Sequence, residues 1–323
     1  MSKKPTSRPL NYALRPAKNI ERKMMGEALA RLSVLAPLSR YRYIGFGSEF
    51  FNDFALYHQT LGIHDMVSIE WDTTKLDRCN FNRPYKCIQV VPGTANSVLP
   101  QLEWKKRTIA WLDYTDALDT TVLEDIAHVL TEAPSGSALI VTVNAKADDE
   151  RIATPDLPKH RMDRLISKVG RNRVPAGVTG VTLANWGLAA ATYAIIGDEV
   201  QIVLNNFNAP QKPDSKRRFQ QCFHFRYRDG QQMLTIGGVI LDQKDDARFG
   251  SMPFDGLGFI RDGAEPFMIE PPMLTGREVR YLNQLLPHTA ATDMPDPAWL
   301  SDADRKAYRE VYRYFPIFAE SEL

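Results

Sequence analysis

Between residues 43 and 145 five short apolar runs are separated by four segments, most of them of helical spacing. The apolar runs cover 43–47, 65–71, 86–93, 107–114 and 137–145, and the last, SALIVTVNA, is apolar nearly throughout. Apolar residues three and four apart mark the clearest helix, TTVLEDIAHVLTEA at 120–133. Strands that alternate with helices imply right-handed crossovers and a parallel sheet. Strands with unbroken apolar runs imply burial on both faces. The spacing therefore predicts an open α/β sheet.

The flanks add a frame. Pro16 is placed to open a helix that carries Ile20, Met24, Ala28 and Leu32 at helical spacing. Lys18 and Arg22, four apart, share one face of it. That face is either a solvated surface or, together with Arg15, a cradle for a carboxylate or phosphate. Residues 1 to about 15 read as flexible. The rhythm breaks over about 146–218, where a basic stretch precedes NWGLAAATYAIIGDEVQIVLNNF, which reads as one long buried helix. At 219–241 two β-rich runs flank Asp229-Gly230, the signature of a tight antiparallel hairpin. In the tail, Thr275 and Glu278 form a capping-box pattern, and Ser301 is placed to cap a last helix. The chain is thus expected to divide into an N-terminal arm and helix (1–40), a sheet domain (41–242, with the insert at about 146–218) and a C-terminal helical subdomain (243–323).

Ligands of such sheets bind beyond the carboxyl ends of the strands, where strand order reverses. The first strand ends in GFGSE at 45–49, and glycines there let backbone approach a ligand without a Cβ in the way. The second ends in Glu70, which follows Gly47 by 23 residues, a spacing that suits hydrogen bonds to ribose hydroxyls. The third ends in PGTAN at 92–96 and the fourth in Asp113-Tyr114-Thr115-Asp116.

These features resemble the class I S-adenosylmethionine-dependent methyltransferases. YIGFGSEF is similar to that family's glycine loop, SIEWD holds Glu70 in the place of its ribose-binding acid, and the hairpin at Asp229-Gly230 resembles its antiparallel sixth and seventh strands. VVPGTAN and WLDY resemble the segments after strands three and four. The resemblance covers about 41–242 and implies a Rossmann-like, mostly parallel seven-stranded sheet closed by an antiparallel hairpin. It implies S-adenosylmethionine as cofactor. Gly45, Gly47 and Ser48 would line its methionine part, Glu70 its ribose and Asn96 the adenine edge. Asp113 would stand beside the sulfonium as the group that orients or deprotonates a hydroxyl, with Tyr114 near the acceptor. Two departures qualify the likeness: the loop is shorter than G-x-G-x-G, and DYTD replaces the Asn/Asp-Pro-Pro-aromatic motif of amino-group methyltransferases. The second points to oxygen rather than nitrogen as the methylated atom, with the acceptor unassigned.

Composition narrows the rest. Lys plus Arg number 40 against 39 for Asp plus Glu, so no global charge draws the chain to nucleic acid. Local basic residues at 159–173 keep a nucleic-acid-modifying enzyme open, and the missing signatures keep open a catalytically inactive version that binds a nucleotide or a protein partner. The three cysteines, Cys79, Cys87 and Cys222, form no CxxC pair and suggest neither a disulfide framework nor a metal site. The N-terminus lacks an apolar core of a signal peptide, and no apolar run reaches the roughly 18 residues of a membrane span. A cytoplasmic location is expected.

Overall fold

The computed structural model describes residues 15–148, 156–250, 254–287 and 299–316; the reading of residues 1–14 lies outside them. The strands are β1 (Arg42–Gly45), β2 (Asp65–Glu70), β3 (Ile88–Pro92), β4 (Thr108–Ala117), β5 (Ala138–Asn144), β6 (Arg217–Arg228), β7 (Gln232–Asp242) and β8 (Phe267–Ile269). Among the described residues they form one sheet in the order β3-β2-β1-β4-β5-β7-β6-β8. β1 to β5 run parallel, and β7 is antiparallel to both β5 and β6. Strand order reverses between β1 and β4, and the crevice at a reversal is where such sheets take ligands. The Rossmann-like sheet and its hairpin are as the sequence predicts, with Gly230 at φ 82° in the turn. The count differs: β8, out of the tail, pairs parallel with β6 as an eighth strand.

The helices are α1 (Pro16–Ala30), α2 (Asn52–Leu61), α3 (Leu76–Asn82), α4 (Ala95–Val98), α5 (Thr120–Glu132), α6 (Leu157–Val169), α7 (Gly187–Asn208), α8 (Gln243–Phe249), α9 (Gly276–Leu285) and α10 (Asp302–Val311). Helices α1 to α8 cover the two faces of the sheet. Ile109 and Trp111 of β4 pack with Met24 of α1 and Phe54 of α2, while the alternate residues Ala110 and Leu112 pack with Ile126 of α5 and Ile195 of α7. That is the period of two along a strand buried on both sides.

The predicted caps form. Thr275 and Glu278 exchange both bonds of a capping box, and the Ser301 hydroxyl accepts from the Asp304 N–H. α7 departs from expectation in two ways. It meets the length and composition of a membrane span, contrary to the expectation that no apolar run is long enough. It also buries only one side: Ala189, Ala191, Ile195 and Ile196 enter the core, whereas Ile202 is 54% exposed.

Candidate active site

The turn after β1 is shaped by its own neighbours. A Cβ on Gly45 would stand 2.9 Å from the Tyr43 hydroxyl, and one on Gly47 would stand 2.6 Å from the Phe51 ring and 2.7 Å from Ser68 Oγ. Both glycines are therefore required by packing, whatever they do for a ligand. The Gly47 N–H donates to Ser68 Oγ at 3.0 Å. Ser48 (φ 50°) and Phe51 (φ 51°) both take the left-handed backbone region. That conformation costs a non-glycine residue about 1 kcal/mol or more, so a strained turn is held fixed by packing just before α2 begins.

Glu70 joins this turn. It ends β2, is 8% exposed, and burial holds its carboxyl above the usual range. One oxygen accepts the Asp72 N–H at 2.8 Å. The Cys79 thiol lies 3.8 Å from the other and 3.6 Å from the Ser48 carbonyl, so it spans the two segments. Gly45, Gly47, Ser48 and Glu70 are thus brought together. Asn96 stands apart: it lies on α4, half-buried, with its amide donating to Glu124 at 3.3 Å.

Asp113 and Tyr114 separate across the sheet. Register pairs Gly45 with Trp111, which puts Asp113 one step of the same face beyond the β1 end. Its Oδ1 accepts from Lys18 Nζ at 2.8 Å, and its side chain keeps 27% exposure. Tyr114 points to the opposite face, where its hydroxyl donates to Asp125 of α5 at 2.6 Å and its ring meets Phe46 edge-on at 5.2 Å. That bond commits the hydroxyl away from Asp113, so the structure places the two predicted catalytic residues on different faces.

Sequence reasoning missed the group that surrounds Asp113. Lys18 is 3% exposed and also bonds Glu21 at 2.9 Å and the Tyr227 hydroxyl at 3.2 Å, with the Trp111 ring 4.4 Å beneath. Burial pulls its pKa down, but the Asp113 and Glu21 carboxylates outweigh that and leave it above the usual lysine value. Glu21 in turn accepts from Tyr227 at 3.1 Å and from Thr235, and burial raises its carboxyl. Asp229, at the hairpin tip, accepts the Lys18 backbone N–H at 2.9 Å and so caps α1 across 211 residues of sequence. A second pair lies alongside: the Tyr43 hydroxyl donates to Asp53 of α2, whose carboxyl burial raises and the nearby Arg22 charge lowers. The solvated-face reading of Lys18 and Arg22 is overturned, since both are buried. The one sequence signal was that shared face.

Beyond the carboxyl ends of β4 and β5 opens a cavity of about 410 Å³, walled by Asp116, Asn144, Arg161, Arg164, Leu165 and Leu188 among others. The insert forms one side. Arg161 donates to the Asp148 carbonyl at 2.6 Å, Arg164 pairs with the Asp148 carboxylate, and Lys168 lies 3.6 Å from Asp119. No group of three or more His, Cys, Asp or Glu among the described residues is arranged to hold a metal.

A family model described as "Putative O-methyltransferase" matches residues 10–323. No curated protein matches the sequence. Solved structures do. An O-methyltransferase family protein from Burkholderia thailandensis is 13% identical over 67% of this chain and 55% of its own, with a TM-score of 0.33. PigF with SAH is 14% identical over 67% of this chain and 65% of its own, with a TM-score of 0.33. The O-methyltransferase TomG from Streptomyces achromogenes, involved in tomaymycin synthesis and solved with SAM, is 12% identical over 72% of this chain and 92% of its own, with a TM-score of 0.37. The chain thus spans less than two thirds of the length of the first two.

Proposed function

The chain belongs to the family described as "Putative O-methyltransferase", and from that premise we propose that it transfers a methyl group from S-adenosylmethionine to an oxygen atom of a small acceptor. The observation that carries the reading is the family match along residues 10–323, joined to a sheet whose reversal point presents Gly45, Glu70 and Asp113 at neighbouring strand ends.

The residues at that crevice fit the cofactor. Three carboxylates (Glu21, Asp53, Asp113) face two cations (Lys18, Arg22), a balance that suits a ligand with a sulfonium. Glu70 would take the ribose hydroxyls, because the weak thiol contact at 3.8 Å leaves that oxygen able to accept. When bound, the cofactor supplies an electrophilic methyl group. The protein's task is then to place a nucleophilic oxygen in line and take its proton. Asp113 is suited to both. Lys18 fixes Oδ1, Oδ2 has no partner among the described residues, and the side chain is the network member that reaches solvent. Glu21 and Tyr227 hold Lys18 in turn. Tyr114 does not touch this group; it fastens β4 to α5 through Asp125.

Transfer of labelled methyl from S-adenosylmethionine to a panel of phenols, alcohols and carboxylic acids tests the proposal. Label should pass to one hydroxyl class. Asp113→Asn should lower turnover about 100-fold or more, the scale of a lost general base. Cofactor binding with no labelled product from any class would favour the non-catalytic reading instead.

A further inference from the structure

Lys18 and Arg22 are neighbours on α1, yet they are treated very differently. Lys18 is matched by Asp113, Glu21 and Tyr227. Arg22 is 5% exposed, and its guanidinium makes no hydrogen bond or ion pair with any described residue; its Nε is buried without a partner. A guanidinium does not shed its charge to escape burial, and burial of an unpaired charge is strongly unfavourable. Asp53 feels the Arg22 charge but gives its bond to the Tyr43 hydroxyl.

The surroundings indicate what completes it. The Tyr43 hydroxyl that holds Asp53 is the group lying 2.9 Å from the Cβ position of Gly45. Arg22, Asp53, Tyr43 and the glycine turn are therefore one continuous patch. The Arg22 carbonyl accepts from the Tyr57 hydroxyl at 3.2 Å, which pins this turn of α1 to α2. A planar fork of donors in such a place matches a carboxylate, two bonds to two oxygens.

We infer that Arg22 is the receptor for a carboxylate of the bound ligand, and, resting on the function proposed above, that this is the carboxylate at the amino-acid end of the cofactor. An acceptor molecule is the other source of a carboxylate, and the ligand pair below separates the two.

The test is calorimetric titration of the full chain with S-adenosylmethionine and with decarboxylated S-adenosylmethionine, which differ by that one group. The wild type should prefer the carboxylated form by about 30-fold or more, the scale of a buried charge-assisted pair. Arg22→Gln should bind both forms alike, through weakened binding of S-adenosylmethionine alone. Arg22→Lys, which keeps the charge without the fork, should show an intermediate preference. Equal weakening of both ligands or a preference that survives in Arg22→Gln overturns the inference. A wild type that binds both forms equally overturns it too while leaving the proposed function standing. A wild type that binds neither removes the proposed function and this inference together.

Discussion

Lys18 Nζ lies 2.8 Å from Asp113 Oδ1, and this ion pair joins the first turn of α1 to the carboxyl end of β4 across 95 residues of sequence. It ties the helix over the crevice to the carboxylate read as the catalytic base. Lys18→Met leaves Glu21, with 0% exposure, and Asp113 without their cation. Stripping one partner from a buried pair costs about 3–5 kcal/mol. Urea denaturation of Lys18→Met should show a loss of about 3 kcal/mol, the lower end because Asp113 keeps some solvent. Lys18→Met/Glu21→Gln should recover part of it. A change below about 0.5 kcal/mol in the single variant would mean that the network is not a structural unit.

Gly47→Ala drives a methyl group to 2.6 Å from the Phe51 ring and 2.7 Å from Ser68 Oγ. Overpacking of this kind costs about 1–3 kcal/mol. Phe51→Leu added to Gly47→Ala should relieve some of that cost, which a thermodynamic cycle from chemical denaturation would measure. Additive losses would place the strain elsewhere.

Asp125 titrates at about 6 in the folded protein against a usual 3.8, because burial disfavours its charge. The native state holds that proton more tightly than the unfolded chain. Its contribution to stability is complete below about pH 4 and is lost as pH rises through about 6, a swing of about 3 kcal/mol. Asp125→Asn keeps an acceptor for the Tyr114 hydroxyl without the charge. The variant should match the wild type near pH 4 and exceed it at pH 7 to 8. Identical pH–stability curves for the two proteins would contradict this account.

His224 slopes the opposite way. Its pKa falls to about 4, mainly through burial, and its ring stacks on Tyr193 of α7 at 4.3 Å. The neutral ring is favoured in the native state, so its contribution is present above about pH 6.5 and is lost as pH falls through about 4. His224→Phe preserves the stack and should flatten the acid limb by about 3 kcal/mol between those values. An unchanged acid limb in urea titrations would rule this out.

The sheet was legible because each strand is an apolar run bounded by helix or turn signals, and Asp229-Gly230 fixed the hairpin. β8 was not: three residues in a proline-rich tail carry no period. The separation of Asp113 from Tyr114 is legible in the sequence, since adjacent strand residues face opposite ways: Trp111 with Asp113 and Leu112 with Tyr114 are the two faces. The two glycines show the reverse limit. Their spacing was visible, but what demands them is contact with Tyr43 and Phe51, which only folding reveals. The buried charges of α1 were hidden because their partners, Asp113, Tyr227 and Thr235, are remote in sequence, and helical spacing cannot distinguish a wet face from a matched buried one.

The central claim is that the crevice between β1, β2 and β4 holds an adenosyl ligand. Calorimetric titration with S-adenosylhomocysteine, on the wild type and on Glu70→Ala, tests it most directly. One saturable site is expected, with affinity reduced about 10-fold or more in Glu70→Ala, the scale of hydrogen bonds lost to a charged acceptor. No saturable heat at millimolar ligand, or a Glu70→Ala protein that binds as tightly as the wild type, would contradict it.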